Sequence, residues 1–491
     1  MNKTKLYIFL MLLMLSAPGI LVLSGCKTAE IVSPAITEPS GDIAKTEDET
    51  KSAGEAPYMG YIFPEEDYGG YEFKISSMIF DGAISDIVME KEDGNVINDA
   101  IYKRNLVIEE KFNITIKNTQ YQNGQMQEVI VRSAAAGDNA FDLAFCNTTE
   151  SASIAGRGIF MDLLGIDALF MRSPWWNRNF IQNVSIGGKL YFCLSDIAVQ
   201  PNQLAWAICF NKTILKDLEL PEPYELVREG SWTIDAMFEL MKKGARDLDG
   251  DGSFKKGDRF GFISCDSASN GFLNGADINP IVKDANDYPI LNPPTEKDDL
   301  AAEKLKGLFD LPSGNFLRVA QGDECGLFMQ GEALFISNNM TMIDRIRDME
   351  DDFGILPYPK SDAAQEGYHS VMGTNAMSFG IPVTAENIER IAVVTCAMTA
   401  VSMDTVKPAY FESTLKRKRA RDDESLDMLE IIAATRIVDV GLIYNWGGFA
   451  TAYRDNVAQQ KSESLFTVFE RNADSSKAAI DKSLKVFAEM E

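Results

Sequence analysis

Histidine is almost absent from this chain of 491 residues: His369 is the only one. That excludes a Ser-His-Asp triad anywhere away from position 369, and it excludes multi-histidine metal centres. Gly-x-Ser-x-Gly, phosphate-loop and Gly-x-Gly-x-x-Gly motifs are missing as well, so no common nucleophile elbow or nucleotide cradle is visible. Positive charge is scarce. There are 47 Lys and Arg against 73 Asp and Glu, a formal charge of −26, and a nucleic-acid partner would need the opposite balance. No Cys-x-x-Cys pair occurs among the seven cysteines. Cys146, Cys193, Cys209, Cys265, Cys325 and Cys396 mostly lie in apolar runs, where a buried free thiol is the usual state.

The remaining cysteine, Cys26, has a different setting. Lys3 and Lys5 precede an apolar run, Leu6–Leu23, which closes on Leu23-Ser24-Gly25-Cys26. This is the layout of a secretory signal, and the cysteine after Leu-Ser-Gly resembles the bacterial lipobox, which implies lipidation of Cys26 after removal of residues 1–25. Residues 26–56 are rich in Thr, Ser, Glu, Asp, Pro and Ala and nearly free of large apolar side chains. Such a segment cannot bury enough surface to offset its ordering entropy, so a disordered tether is expected.

Folded sequence begins near Tyr58. Tyr71, Phe73 and Ile75 alternate with charged residues as a strand does; Asn98-Asp99 suggests a cap for a helix carrying Ile101, Ile108 and Phe112 on one face. The run 113–117 reads as a second strand, Met126–Ala136 as a helix and Phe141–Cys146 as a third strand. That βαβαβ order predicts a parallel, helix-covered sheet, whose ligands bind beyond the carboxyl ends of the strands. Asn147 and Thr148, just after the third strand, are therefore candidate ligand contacts, though they could equally just terminate it.

The stretch Gly187–Lys212, GGKLYFCLSDIAVQPNQLAWAICFNK, holds two short apolar runs, Leu190–Leu194 and Leu204–Phe210, around a polar Pro-bearing patch. Both runs read as buried strands, and the whole as a crossover between two lobes. Together with the following KTILKDLELPEPYELVREGSWT, and with GEALFISNN (331–339) and DFGILPYPK (352–360), it resembles the extracellular solute-binding proteins of sugar-type ABC importers, the maltose-binding-protein-like family. The resemblance implies an α/β fold of two lobes, the type II periplasmic-binding-protein architecture. The lobes would comprise 57–200 plus 370–438 and 205–368 plus 440–491. The return crossings would be Tyr368–Ile381 and Val438–Phe449. In that fold aromatic faces meet the C–H patches of a sugar ring and short polar groups read its hydroxyls. Trp206, Tyr444 and Trp446 at the crossings, and Asn338 and Asn339 at the end of a strand, are the candidate contacts. Trp232 is expected to staple the start of a helix, and Trp175-Trp176 to pack one.

The sharpest chemical motif is the loop Asp247–Asp258. Asp247, Asp249, Asp251, Ser253, Lys255 and Asp258 stand at positions 1, 3, 5, 7, 9 and 12, with Gly252 at position 6, the spacing of an EF-hand calcium loop. It departs from that pattern by ending in Asp instead of Glu and by running into an apparent strand, 259–263. One structural Ca2+ ion is expected, the alternative being a solvated acidic turn. The only basic cluster, Lys416–Arg421, is cancelled by the acids after it. The expectation is therefore a monomeric, lipid-anchored, extracellular substrate-binding component that captures a carbohydrate and delivers it to an ABC permease, with no nucleic-acid partner. A surface sugar sensor or adhesion module without transport, and a glycoside-active enzyme, are the alternatives.

Overall fold

Residues 58–310, 314–416 and 423–490 are described by a computed structural model. The signal segment, Cys26, the tether and nearly all of the 416–421 basic cluster lie outside the described residues. Among those described, no helix is long and apolar enough to cross a membrane.

The first sheet is built from β1 (Tyr71–Ile79), β2 (Ile114–Gln122) and β3 (Leu143–Asn147), with β1 central and both neighbours parallel to it. The helices Val96–Phe112 and Met126–Ala136 make the two crossovers. The first helix is capped by Asn95, not by Asn98-Asp99. The Asn95 side chain accepts from the Ile97 N–H at 3.0 Å, while Asp99 reaches back to the Asp93 N–H at 2.9 Å. An acid in the first turn complements the helix dipole, which explains why Asp99 imitates a cap in the sequence.

The second sheet uses β4 (Trp206–Asn211), β5 (Phe260–Ser264), β8 (Phe316–Arg318), β9 (Ala333–Asn339) and β10 (Phe353–Leu356), after the short hairpin of β6 (Ile281–Lys283) and β7 (Pro289–Leu291). Its order is β10-β4-β9-β5-β8, with β4 antiparallel to both neighbours and β5 parallel to both of its own. All seven residues of β9 are buried, in keeping with the unbroken apolar start of that run. Trp232 is fully buried and donates its indole N–H to the Pro357 carbonyl at 2.9 Å, while Thr233 caps the helix Ile234–Gly244.

The chain crosses between the sheets three times, and the crossings are bonded side by side. Gly373 N–H donates to Leu204 O at 2.8 Å and Met372 N–H to Ile437 O at 3.0 Å. The short strands β11 (Ser370–Val371) and β13 (Arg436–Ile437) pair in parallel, and β12 (Met377–Gly380) then joins the first sheet antiparallel to β3.

Two expectations change. Leu190–Leu194 is buried but is not a strand: Leu190 bonds to Asp162 and Leu163, and Cys193 makes a single bridge to Phe379. Its backbone groups are satisfied by different segments, so no ladder forms. The helix Asp423–Ala434, placed by its sequence position in the first lobe, packs on the second sheet. Tyr224 Oη lies 2.8 Å from Ser425 Oγ, Arg228 pairs with Asp427, and Ile432 joins the core of Cys209 and Ile355. The six described cysteines are all free and buried.

Candidate functional site

A cavity of about 200 Å3 opens where the two sheets meet. Thr149 reaches it from the first sheet, in the first turn of the helix that follows β3. Ser267, Asn270, Gln321 and Asn339 reach it from beyond β5, β8 and β9, so the carboxyl ends of the parallel strands face it, as α/β ligand sites require. The second crossing contributes 371–375, and Leu442, Asn445, Thr451 and Arg454 come from the third crossing and the helix after it.

Trp206 starts β4 and lines this cavity beside Asn339, its cross-strand partner. The residue is 7% exposed, and no hydrogen bond ties its Nε1 to the described residues. Around it stand five side-chain amides (270, 321, 339, 375, 445), four hydroxyls (149, 267, 374, 451) and the Arg454 guanidinium, which is held by Asp455 Oδ1 at 2.7 and 2.9 Å. No carboxylate side chain lines the cavity.

The other residues expected here are placed elsewhere. Trp446 is buried against the C-terminal helix Leu465–Glu489, where its Nε1 donates to Ser483 Oγ at 2.9 Å. Tyr444 stacks on it at 4.4 Å with its edge toward Phe487, and burial raises the Tyr444 phenol pKa above its ordinary range. Neither ring lines the cavity; the residue between them, Asn445, does. Asn147 caps the helix after β3 by accepting from the Glu150 N–H at 2.8 Å, and its own amide donates to Glu150 at 2.7 Å. It faces a separate open groove. Burial raises the Glu150 carboxyl pKa against the opposing pull of backbone N–H groups. Thr148 Oγ1 donates to Thr374 O at 2.6 Å and so ties the first sheet to the second crossing. Asn338 turns inward to Glu324 and accepts from Gln321 Nε2 at 3.1 Å, holding a residue that does line the cavity.

No family model matches this sequence, and no curated protein does either. Solved structures do match the fold. The cyclic α-maltosyl-1,6-maltose-binding protein of Arthrobacter globiformis superposes with a TM-score of 0.57 at 16% identity, covering 84% of this chain and 99% of that one. The galacto-N-biose/lacto-N-biose I-binding protein of an ABC transporter from Bifidobacterium longum gives 0.57 at 12% identity, covering 86% and 98%. Maltose-bound MalE3 of T. maritima gives 0.53 at 12% identity, covering 83% and 99%. The chain has the two-lobed fold of the sugar-binding proteins of ABC transporters. Several hundred further chains match in the same way. At these identities the likeness establishes architecture, and the cavity chemistry must speak for the ligand.

The loop 247–258 lies apart from the cavity. Oxygens of Asp247, Asp249 and Asp258 all come within 4.8 Å of one another. Asp247 accepts from the Gly250 and Gly252 N–H groups, each at 2.7 Å, and Gly252 has φ +84°, a turn that suits glycine. Asp258 is buried and accepts from Leu248 and Lys255 N–H at 2.8 and 2.9 Å. Three converging carboxylates suit a hard cation. Lys255 does not act as a ligand. Its ammonium sits 2.7 Å from Asp249 Oδ2 and also pairs with Asp251, which raises the Lys255 pKa and makes it a rival cation.

Proposed function

We propose that this chain is the substrate-binding component of an ABC importer, lipid-anchored through Cys26 on the extracellular face of the membrane. It captures a carbohydrate between its two sheets and delivers it to a permease. The observation that carries the reading is the cavity lining: one available indole surrounded by amides and hydroxyls, with no carboxylate. Amides and hydroxyls donate and accept together, as the hydroxyls of a sugar do. An indole face covers the C–H patch that those hydroxyls leave bare. Binding, not bond cleavage, is what such a lining supports, since general acid–base glycoside chemistry calls for a carboxylate pair. The fold shared with sugar-binding proteins adds to this reading.

The test is a panel of mono- and oligosaccharides screened by thermal shift, with hits confirmed by calorimetry. At least one sugar should raise the melting temperature by mass action. Trp206→Ala should weaken its binding by about 1–3 kcal/mol, the range for base stacking on aromatics. A panel without a binder, or a hit whose affinity ignores Trp206, would refute the assignment.

A structural Ca2+ ion in the loop 247–258 belongs to the same proposal. Asp247, Asp249 and Asp258 would hold it once Lys255 swings away, with Asp251 and Ser253 completing the loop positions. It would fix the turn into β5 and take no part in ligand capture.

A further inference from the structure

A second cavity, of about 170 Å3, lies where the first and third crossings meet the helices Ile388–Asp404 and Val406–Lys416. Its charged lining is Asp196 on the first crossing, Lys407 on the helix and Arg436 at the start of β13. Asp196 is already compensated. Its Oδ1 accepts from Asn202 Nδ2 at 3.0 Å, and its Oδ2 lies 3.4 Å from Lys407 Nζ. The Arg436 guanidinium feels the Asp196 charge but makes no direct hydrogen bond or close ion pair among the described residues, although it lines both this cavity and an adjoining one of about 220 Å3. Ser195 also lines the cavity; the residue is 7% exposed and its buried Oγ lacks a partner.

A guanidinium partly withdrawn from water with its donors unused carries a cost, and burying an unpaired hydroxyl beside it adds to that cost. Burial lowers the Arg436 pKa against the opposing pull of the Asp196 carboxylate in the same cavity. Water would satisfy the donors, but the one carboxylate of the lining, Asp196, is shared between Lys407 and Arg436 and leaves one positive charge over. A planar or tetrahedral oxyanion would satisfy both, since the fork of an arginine matches two oxygens at once. We propose that this cavity is a binding site for one small oxyanion of the phosphate, sulfate or carboxylate class, held by Arg436 with Lys407 and Ser195 Oγ. An anion there would bridge the first and third crossings and stiffen the hinge they form. The site is independent of the carbohydrate reading.

Titration calorimetry of the purified full chain would use sodium phosphate, sodium sulfate and sodium acetate separately, against sodium chloride at matched ionic strength. At least one oxyanion should bind saturably at one per chain and raise the melting temperature, whereas chloride should not. The three salts distinguish a tetrahedral from a carboxylate occupant. Arg436→Gln should weaken binding by about tenfold or more, the loss expected for one charge-assisted bond. Lys407→Met, at a side chain 33% exposed, should weaken it too and keeps the test open if Arg436→Gln does not fold. The proposal fails if no oxyanion binds beyond chloride, if both variants bind like the parent, or if Arg454→Gln in the sugar cavity abolishes the binding.

Discussion

Between Tyr444 and Trp446, Asn445 takes a left-handed backbone conformation (φ +42°) and bonds to Thr451 through both ends of its amide, at 2.9 and 3.3 Å. That reversal sends the two rings into the core and leaves the amide at the cavity. Trp446→Ala should therefore destabilise the fold by about 3–5 kcal/mol in denaturant unfolding while leaving the ligand affinity of folded molecules unchanged. Asn445→Gly keeps a residue that tolerates positive φ but removes both amide bonds to Thr451, so it should cost about 1–3 kcal/mol in stability. It should also weaken sugar binding in calorimetry. Asp439 offers a test by pH. Burial raises its carboxyl pKa against the N–H of Leu442 and the amide of Asn274, so its contribution is fully present below the unfolded value of 3.8 and is lost as pH rises through the folded value. Asp439→Asn removes that loss and keeps a cap acceptor. Its melting temperature should exceed that of the parent at pH 7, and the gap should close as pH falls toward about 4.

Among the elements, the loop 247–258 separates backbone bonding from metal binding. Asp258→Ala leaves the N–H groups of Leu248 and Lys255 without acceptors, which should cost about 1–3 kcal/mol even in EDTA. Asp249 accepts from one backbone N–H, and Asp249→Asn keeps an oxygen for it while removing charge, so it should chiefly blunt the rise in melting temperature on adding Ca2+. A melting curve indifferent to Ca2+ and EDTA would make the loop an acidic turn. The strands show what element-level patterns carry. β3, β4, β9 and β10 are each buried along their whole length and stand out as apolar runs. Leu190–Leu194 is just as apolar, yet bonds to several partners in place of one, which no local pattern records.

For the whole molecule, three bonded crossings join two sheets, and the proposed capture of a ligand between them predicts closure by a hinge motion. Small-angle scattering should show a smaller radius of gyration with the identified sugar than without it, and no change would mean that the sheets do not move. Anchoring is a separate matter: Cys26→Ala should release the protein from membranes in fractionation, and tight association of that variant would refute lipidation. The six described thiols are sealed by packing, and burial pushes those of Cys325 and Cys396 up to about 12. All six should react with a thiol reagent only after unfolding.

Local chemistry by itself determined the architecture of this protein: apolar runs of strand length, the βαβαβ order from Tyr71 to Cys146, and the three crossing segments are all properties of neighbours in the chain. The blocks at 187–212, 331–339 and 352–360 pointed to the same two-lobed fold, and Trp206 and Asn339 were legible as cavity residues because one opens a strand and the other closes one. Only the tertiary structure decided which side of each crossing faces the cavity. Thr149, Asn270, Gln321, Asn375, Thr451 and Arg454 come from segments up to 305 positions apart, and nothing in their own surroundings distinguishes them from other surface polar residues. Tyr444 and Trp446 had the right composition and position, but one left-handed residue between them reversed their direction. Such a turn is set by what the C-terminal helix packs against, and packing is a property of the whole chain.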